Sequence, residues 1–334
     1  MRLLLRPQWP VLALLLLAPS IPELLTGSTP ISTLFFDPPA FAINFLGIVG
    51  LYGTGALLVR EFAVYFRKGW ASILLLGAAY GIVEEGLAVH TFFAPPGTVV
   101  GALGSYGHLF GVNWLWALGL TVFHATYSIA LPILLTQLWY PASKDARWLD
   151  RGLVGLVAFV YLFVVVLFSI VVGHGPTPFA LAFFLGMIAV LLALAYGVPG
   201  NLLSVRPGPR RIGKLGLALA GTLEFDAWLV VLFFSGTGRV PAWAAAALLI
   251  VTNLAALGLV LRRVGSVDLE RSKFYFAVGM LSVLFAFDVI VEFSIPGILA
   301  VSAVFAYLLY RLGGTLARRA ATAAAPRGSP NSLT

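Results

Sequence analysis

The chain has no cysteine, which excludes disulfides, thiolate metal ligands and cysteine nucleophiles. Charge is nearly as scarce. Only 10% of the 334 residues are charged, against about 25% in a soluble globular domain. Histidine occurs only four times, so the place of each one carries information. The net charge of +8 would suit a nucleic-acid binder if the basic residues shared a face. They fall instead in short connections between long apolar runs, and no nucleic-acid partner is expected. What is plentiful is apolar, 60% of the residues, and this composition places the chain among membrane proteins.

The apolar residues fall into about ten segments, roughly 8–25, 40–59, 69–91, 113–139, 152–173, 178–198, 214–235, 240–261, 273–291 and 294–312. Each is close to the ~20 residues that cross the hydrocarbon core as a helix. The expected fold is therefore all-α, a polytopic transmembrane helix bundle. The first segment follows Arg2 and Arg6 like a signal peptide, but Pro19 and Pro22 disfavour a small-residue cleavage site, and a retained helix is expected. With the N-terminus in the cytoplasm, all of the 21 basic residues except Arg239 fall on the cytoplasmic side. That alternation predicts an N-in, C-in topology in a prokaryotic plasma membrane, with the lipid bilayer as partner and the oligomeric state open. One integral membrane domain is expected over 1–315, followed by a disordered cytoplasmic tail over 316–334. The Pro/Gly-rich basic stretch 198–213 is the clearest internal break. The uncharged, glycine- and aromatic-rich connection 92–112 is either a lid or an interfacial aromatic belt.

Six of the thirteen acids, Glu84, Glu85, Glu224, Asp226, Asp288 and Glu292, fall within or at the ends of apolar segments. Each costs a few kcal/mol to insert, so an ionisable residue inside a span is a functional candidate by default. Glu84 and Glu85 are adjacent, and two carboxylates this close in low dielectric do not both ionise easily. An acid and a base are thus available from one residue type. Gly77, Gly81 and Glu85 recur at every fourth position, a small-residue stripe that lets another helix approach and turns Glu85 toward it. Glu84 falls on a different helical face, with Tyr80 and Ala88. His124 and Ser128 share one face of the fourth segment, His124 about 15 Å from its outer end. His90 could hang at the mouth of the same site, whereas His108 and His174 read as loop residues. Asp288 and Glu292 share a face, with Asp288 the deeper; Glu224 and Asp226 point to nearly opposite sides. No basic residue is expected at these depths, so protons, histidine or a bound cation must offset the acids. Three His/Glu ligands plus water would suit zinc, drawn from Glu85, His124 and Asp288, although no His-Glu-x-x-His motif is present.

The run Ala79-Tyr80-Gly81-Ile82-Val83-Glu84-Glu85-Gly86-Leu87 resembles the first motif of the CAAX-protease and bacteriocin-processing (Abi) membrane proteins. The resemblance covers the third and fourth segments. It implies intramembrane hydrolysis with Glu84 or Glu85 as general base and His124 holding water or the oxyanion. Ser128 stands where that family has Asn or Asp after its last histidine. The family's arginine four residues after the second glutamate is Val89 here, with His90 adjacent, and Leu120 stands where its second motif has Phe. The chain as a whole also looks like an uncharacterised prokaryotic membrane protein family.

These features predict a membrane-embedded hydrolase acting on a peptide or lipid-linked substrate. Glu84, Glu85 and His124 are the catalytic residues, and His90, Ser128, Asp226 and Asp288 support them. A proton- or cation-coupled secondary transporter and a non-catalytic assembly subunit are the alternatives. The transporter would have inverted five-helix halves, but no matching broken helices are evident in the two halves of the sequence.

Overall fold

A computed structural model describes residues 8–95, 104–204, 212–223, 239–263 and 269–324. Glu224, Asp226, the centres of the 92–112 and 198–213 connections, and the tail from 325 lie outside the described residues.

The architecture is all-α, and the chain is an integral membrane protein. Among the described residues, seven helices are long and apolar enough to cross a membrane: α2 (Pro38–Tyr65), α3 (Trp70–Ala88), α4 (Trp114–Trp139), α5 (Arg151–Val171), α6 (Pro178–Gly197), α9 (Leu269–Val291) and α10 (Ile298–Ala324). Three helices with shorter apolar lengths, α1 (Gln8–Leu24), α7 (Lys214–Leu223) and α8 (Ala242–Arg263, apolar over Ala242–Gly258), coincide with the remaining expected segments. Among the described residues the β-structure is one two-residue ladder, His108–Leu109 with Val112–Asn113. Helix α10 runs on to Ala324, so residues 316–324 are helical where a disordered tail was expected. Its Arg319 explains part of this, because it donates to the carbonyls of Leu138 and Trp139 at 2.8 and 3.1 Å and ties the extension to the end of α4.

Helix starts follow capping chemistry. Asp37 accepts from the Ala40 N–H ahead of α2, Asp150 from Leu153 ahead of α5, and Thr177 from Ala180 ahead of α6. Pro38 and Pro178 occupy the first turns, where the missing N–H costs nothing. α3 stops at His90, whose left-handed backbone (φ 58°) ends the helix without a glycine.

Burial sorts the helices. The apolar windows of α3 and α4 are each 72% buried, whereas those of α5 and α6 are 11% and 17% buried and present Phe159, Phe163, Ile170 and Phe179 outward. The pair carrying the glutamates and His124 is therefore the centre of the bundle. One apolar cluster joins Leu14 of α1, Leu51 and Tyr52 of α2, Ile73 and Tyr80 of α3 and Val164 of α5. A second joins Ile21 of α1, Phe123 and Tyr127 of α4, Leu281 of α9 and Phe305 of α10. Lipid tails are as apolar as these side chains, so close packing rather than hydrophobic transfer holds helices together here. The α3–α4 contact shows it. A Cβ added at Gly77 would stand 2.8 Å from the Ala125 Cα, and one at Gly81 2.9 Å from the His124 Cβ. The small-residue stripe does turn this side of α3 toward α4.

One residue corrects a simple loop placement. Arg60, counted among the cytoplasmic loop charges, is a fully buried residue of α2. It pairs with Glu61, donates to the carbonyls of Ser143, Lys144 and Ala146, and stacks 3.6 Å from the centre of the Trp148 ring. Glu23, within the expected first segment, belongs to the last turn of α1.

Candidate functional site

Helices α3 and α4 bring Glu84, Glu85 and His124 together, all buried. His124 Nε2 lies 2.9 Å from Glu85 Oε1, and Nδ1 lies 2.8 Å from the Ser128 hydroxyl. Glu84 Oε2 stands 3.0 Å from the same Nδ1, as close as an ion pair, yet it makes no aligned hydrogen bond. The distance shows proximity, and the missing alignment shows that Glu84 is not satisfied there. Both carboxylates thus flank one imidazole, from opposite edges of the ring.

Local backbone explains how adjacent glutamates both reach one histidine. On an α-helix neighbours point about 100° apart, which is why the sequence assigns Glu84 and Glu85 to different faces. Here the α-helical ladder of α3 gives way to a π-helical stretch over Val83–Ala88, and that of α4 does so over His124–Ala130. The wider turns swing the side chains round. The same irregularity occurs over Ser20–Leu24 in α1 and Val49–Gly53 in α2, which carry Glu23 and Tyr52. Among the described residues there are four π stretches, and each supplies a member of one polar network. Such insertions are frequent at functional sites.

The network reaches past the residues expected from sequence. Glu85 Oε2 accepts from the Thr91 hydroxyl, which in turn accepts from the Trp116 indole N–H at 2.9 Å. Tyr52 donates to Glu23 Oε1 at 2.6 Å, and Thr29 donates to Glu23 Oε2 at 2.8 Å. The rings of Tyr52, Tyr80 and Phe123 lie 5.9, 6.1 and 5.5 Å from the imidazole and wall it off. The Tyr80 hydroxyl is buried without a partner. Gly55 leaves the space that Tyr80 fills, since a Cβ there would meet the Tyr80 ring at 2.4 Å. No lysine or arginine enters this network among the described residues.

The other expected members go elsewhere. His90 Nδ1 donates to the His174 carbonyl at 2.6 Å, and Ser169 of α5 donates to Nε2 at 3.3 Å, so His90 fastens the end of α3 to the α5–α6 connection. Asp288 is buried, but it accepts from Ser302 and ties α9 to α10. Glu292 accepts from the Leu299 and Gly297 N–H groups at 2.8 and 2.9 Å and caps the start of α10. Asp288 therefore does not join the Glu84–Glu85–His124 group, and as a metal ligand it gives way to Glu84. One donor atom from each of Glu84, Glu85 and His124 lies within 4.8 Å of the others. An apolar cleft of about 330 Å³ beside Leu16, Trp139 and Phe305 contains none of these residues.

A bundle of apolar helices enclosing three ionisable side chains away from lipid defines an integral membrane protein with an intramembrane polar centre. Residues 12–326 match the model of an uncharacterized membrane protein family, and the chain belongs to that family. No curated protein and no solved structure matches the chain.

Proposed function

We propose that the protein is a membrane-embedded hydrolase whose water-activating group is the Glu85–His124 pair. The observation that carries this reading is the convergence of two carboxylates and one imidazole at hydrogen-bond distance on the two most buried spans. A water placed against Glu85 would give its proton to the carboxylate while its oxygen adds to an ester or amide carbonyl. The proton then passes to the leaving alcohol or amine. His124, held by Ser128 on its far nitrogen, orients Glu85 through Nε2.

The resemblance of residues 79–87 to the CAAX-protease motif supports this chemistry, and it rests on that stretch and the His124/Ser128 pair. The substrate class is a peptide or lipid-linked molecule that enters from the bilayer. With nearly all basic residues gathered at the other end, the Glu/His end of α3 and α4 faces away from the cytoplasm. The test compares membranes from cells making wild type or Glu85→Gln, by profiling new peptide termini and lipid head groups. Products present only with the wild type are expected. Identical profiles from equal amounts of folded protein would overturn the reading.

One observation favours a second reading, proton-coupled transport. Three carboxylic acids and a histidine share a buried network with no cationic side chain among the described residues. Proteoliposomes would separate the two readings, because proton flux without any turnover of membrane substrates belongs to the transporter.

A further inference from the structure

We infer that Glu84, Glu85 and His124 hold one divalent transition-metal ion of the zinc type. The inference deepens the hydrolase reading, with a bound ion in place of a free Glu85 carboxylate as what activates the water, but it rests on separate observations.

The first is the donor set. Two carboxylates and an imidazole offer one atom each within 4.8 Å of one another. Ligands around one zinc, each bonded at about 2.0–2.2 Å, stand about 3.3 Å apart, so the shell closes when Glu84 turns from the Nδ1 edge of the imidazole toward Nε2. Mixed imidazole and carboxylate donors suit zinc, iron or manganese better than calcium or magnesium.

The second is an unsatisfied atom aimed into the group. Glu84 is 2% exposed, and its Oε2 has no hydrogen-bond partner although it stands beside His124. A buried carboxylate oxygen left this way is costly, and a bound cation would satisfy it.

The third is the outer support. His124 has Ser128 on Nδ1, which leaves Nε2, the nitrogen facing Glu85, as the ligand. Glu85 has Thr91 on Oε2, itself held by Trp116, which leaves Oε1 for the ion. Metal sites fix their ligands in this manner, with the far atom of each held by a second group. Glu84 alone has no such restraint on Oε2, and it is the side chain that turns to close the site. Three protein ligands leave a position for water.

The experiment uses full-length, tag-free protein in detergent, stripped with a chelator and then titrated with Zn²⁺ and, separately, with Co²⁺. The wild type should take up one ion per chain and show the visible absorption of low-symmetry Co²⁺. Glu84→Gln, Glu85→Gln and His124→Ala should each lose that ion, and Ser128→Ala should bind about 10- to 100-fold more weakly. Asp288→Asn should bind like the wild type. Because some ligand variants could fail to fold, the stripped wild type decides by itself. No uptake of Zn²⁺ or Co²⁺ at 100 μM overturns the proposal, as does uptake that His124→Ala and Glu85→Gln leave unchanged in folded protein. Metal binding is read without any substrate. A chain that binds the ion while Glu85→Gln leaves the membrane profile unchanged keeps the metal site and loses the hydrolase.

Discussion

Replacing Gly77 by alanine tests the packing on which the whole site depends. The added Cβ would stand 2.8 Å from the Ala125 Cα and 3.0 Å from its carbonyl oxygen. Carbon atoms in favourable contact stand about 3.5–4.0 Å apart, so α3 and α4 must separate by about 0.7 Å or more. The obstacle is backbone, and no side-chain rotation relieves it. Overpacking of this kind costs about 1–3 kcal/mol, and the better helix propensity of alanine returns up to about 1 kcal/mol. A net loss of about 1–2 kcal/mol is expected. Gly155 in α5 and Gly186 in α6 are controls, because a Cβ at either position meets nothing within 4 Å. Alanine there should be neutral or slightly stabilising. The assay is reversible unfolding in mixed micelles, all three variants side by side, with the Co²⁺ spectrum recorded before unfolding. Separation at Gly77 also pulls His124 away from Glu85, so the spectrum should weaken in that variant only. If Gly77→Ala proves as stable as Gly155→Ala, the two central helices are not in backbone contact and the reasoning fails.

Three further outcomes are expected. Arg60→Ala takes the nearest cation from buried Glu61, which keeps the Trp148 N–H and Arg147 at 4.0 Å, and frees three carbonyls. A loss at the low end of about 3–5 kcal/mol should therefore appear in the same unfolding assay, and Arg60→Lys should not restore it. Ser302→Ala removes the hydrogen bond to Asp288 and should lower stability by about 1–3 kcal/mol while leaving metal uptake unchanged, a combination that tests whether the α9–α10 tie is independent of the site. Glu292 lies just beyond α9, where the N–H groups of Leu299 and Gly297 hold its carboxyl below the usual carboxylate range. A group lowered in the folded state stabilises above its unfolded value, and that contribution fades as pH falls through the folded value. The start of α10 should therefore gain amide exchange as pH falls below the usual carboxylate range, and Glu292→Gln should abolish that pH dependence.

The parts of this structure that were legible in the sequence share a cause: they follow from regular helical geometry. Apolar runs of membrane length locate the helices, and the four-residue recurrence of Gly77, Gly81 and Glu85 turns Glu85 toward α4, where the added-Cβ distances put it. The spacing of His124 and Ser128 likewise survives as a hydrogen bond. The same geometry misled at Asp288 and Glu292. A shared face was correctly read, but a shared face does not say which neighbour it meets, and here it meets Ser302 and the first turn of α10.

What was not legible depends on departures from that geometry. Glu84 reaches the imidazole because the ladder widens at Val83, and Glu23 and Tyr52 join the network on the π stretches of α1 and α2. No residue type marks such a stretch. Val83–Ala88 reads as Val-Glu-Glu-Gly-Leu-Ala, and Val49–Gly53 as Val-Gly-Leu-Tyr-Gly. Each widened turn also exchanges the regular i→i+4 backbone hydrogen bonds for the rarer i→i+5 pattern. Four of them converging on one imidazole, each bearing a polar network member, is not what closest packing of apolar helices would select. A bundle needing only stability would keep straight helices and leave the glutamates out. The widened turns are therefore best accounted for by the site, since they hold three carboxylates and a histidine at distances that regular helices would not supply.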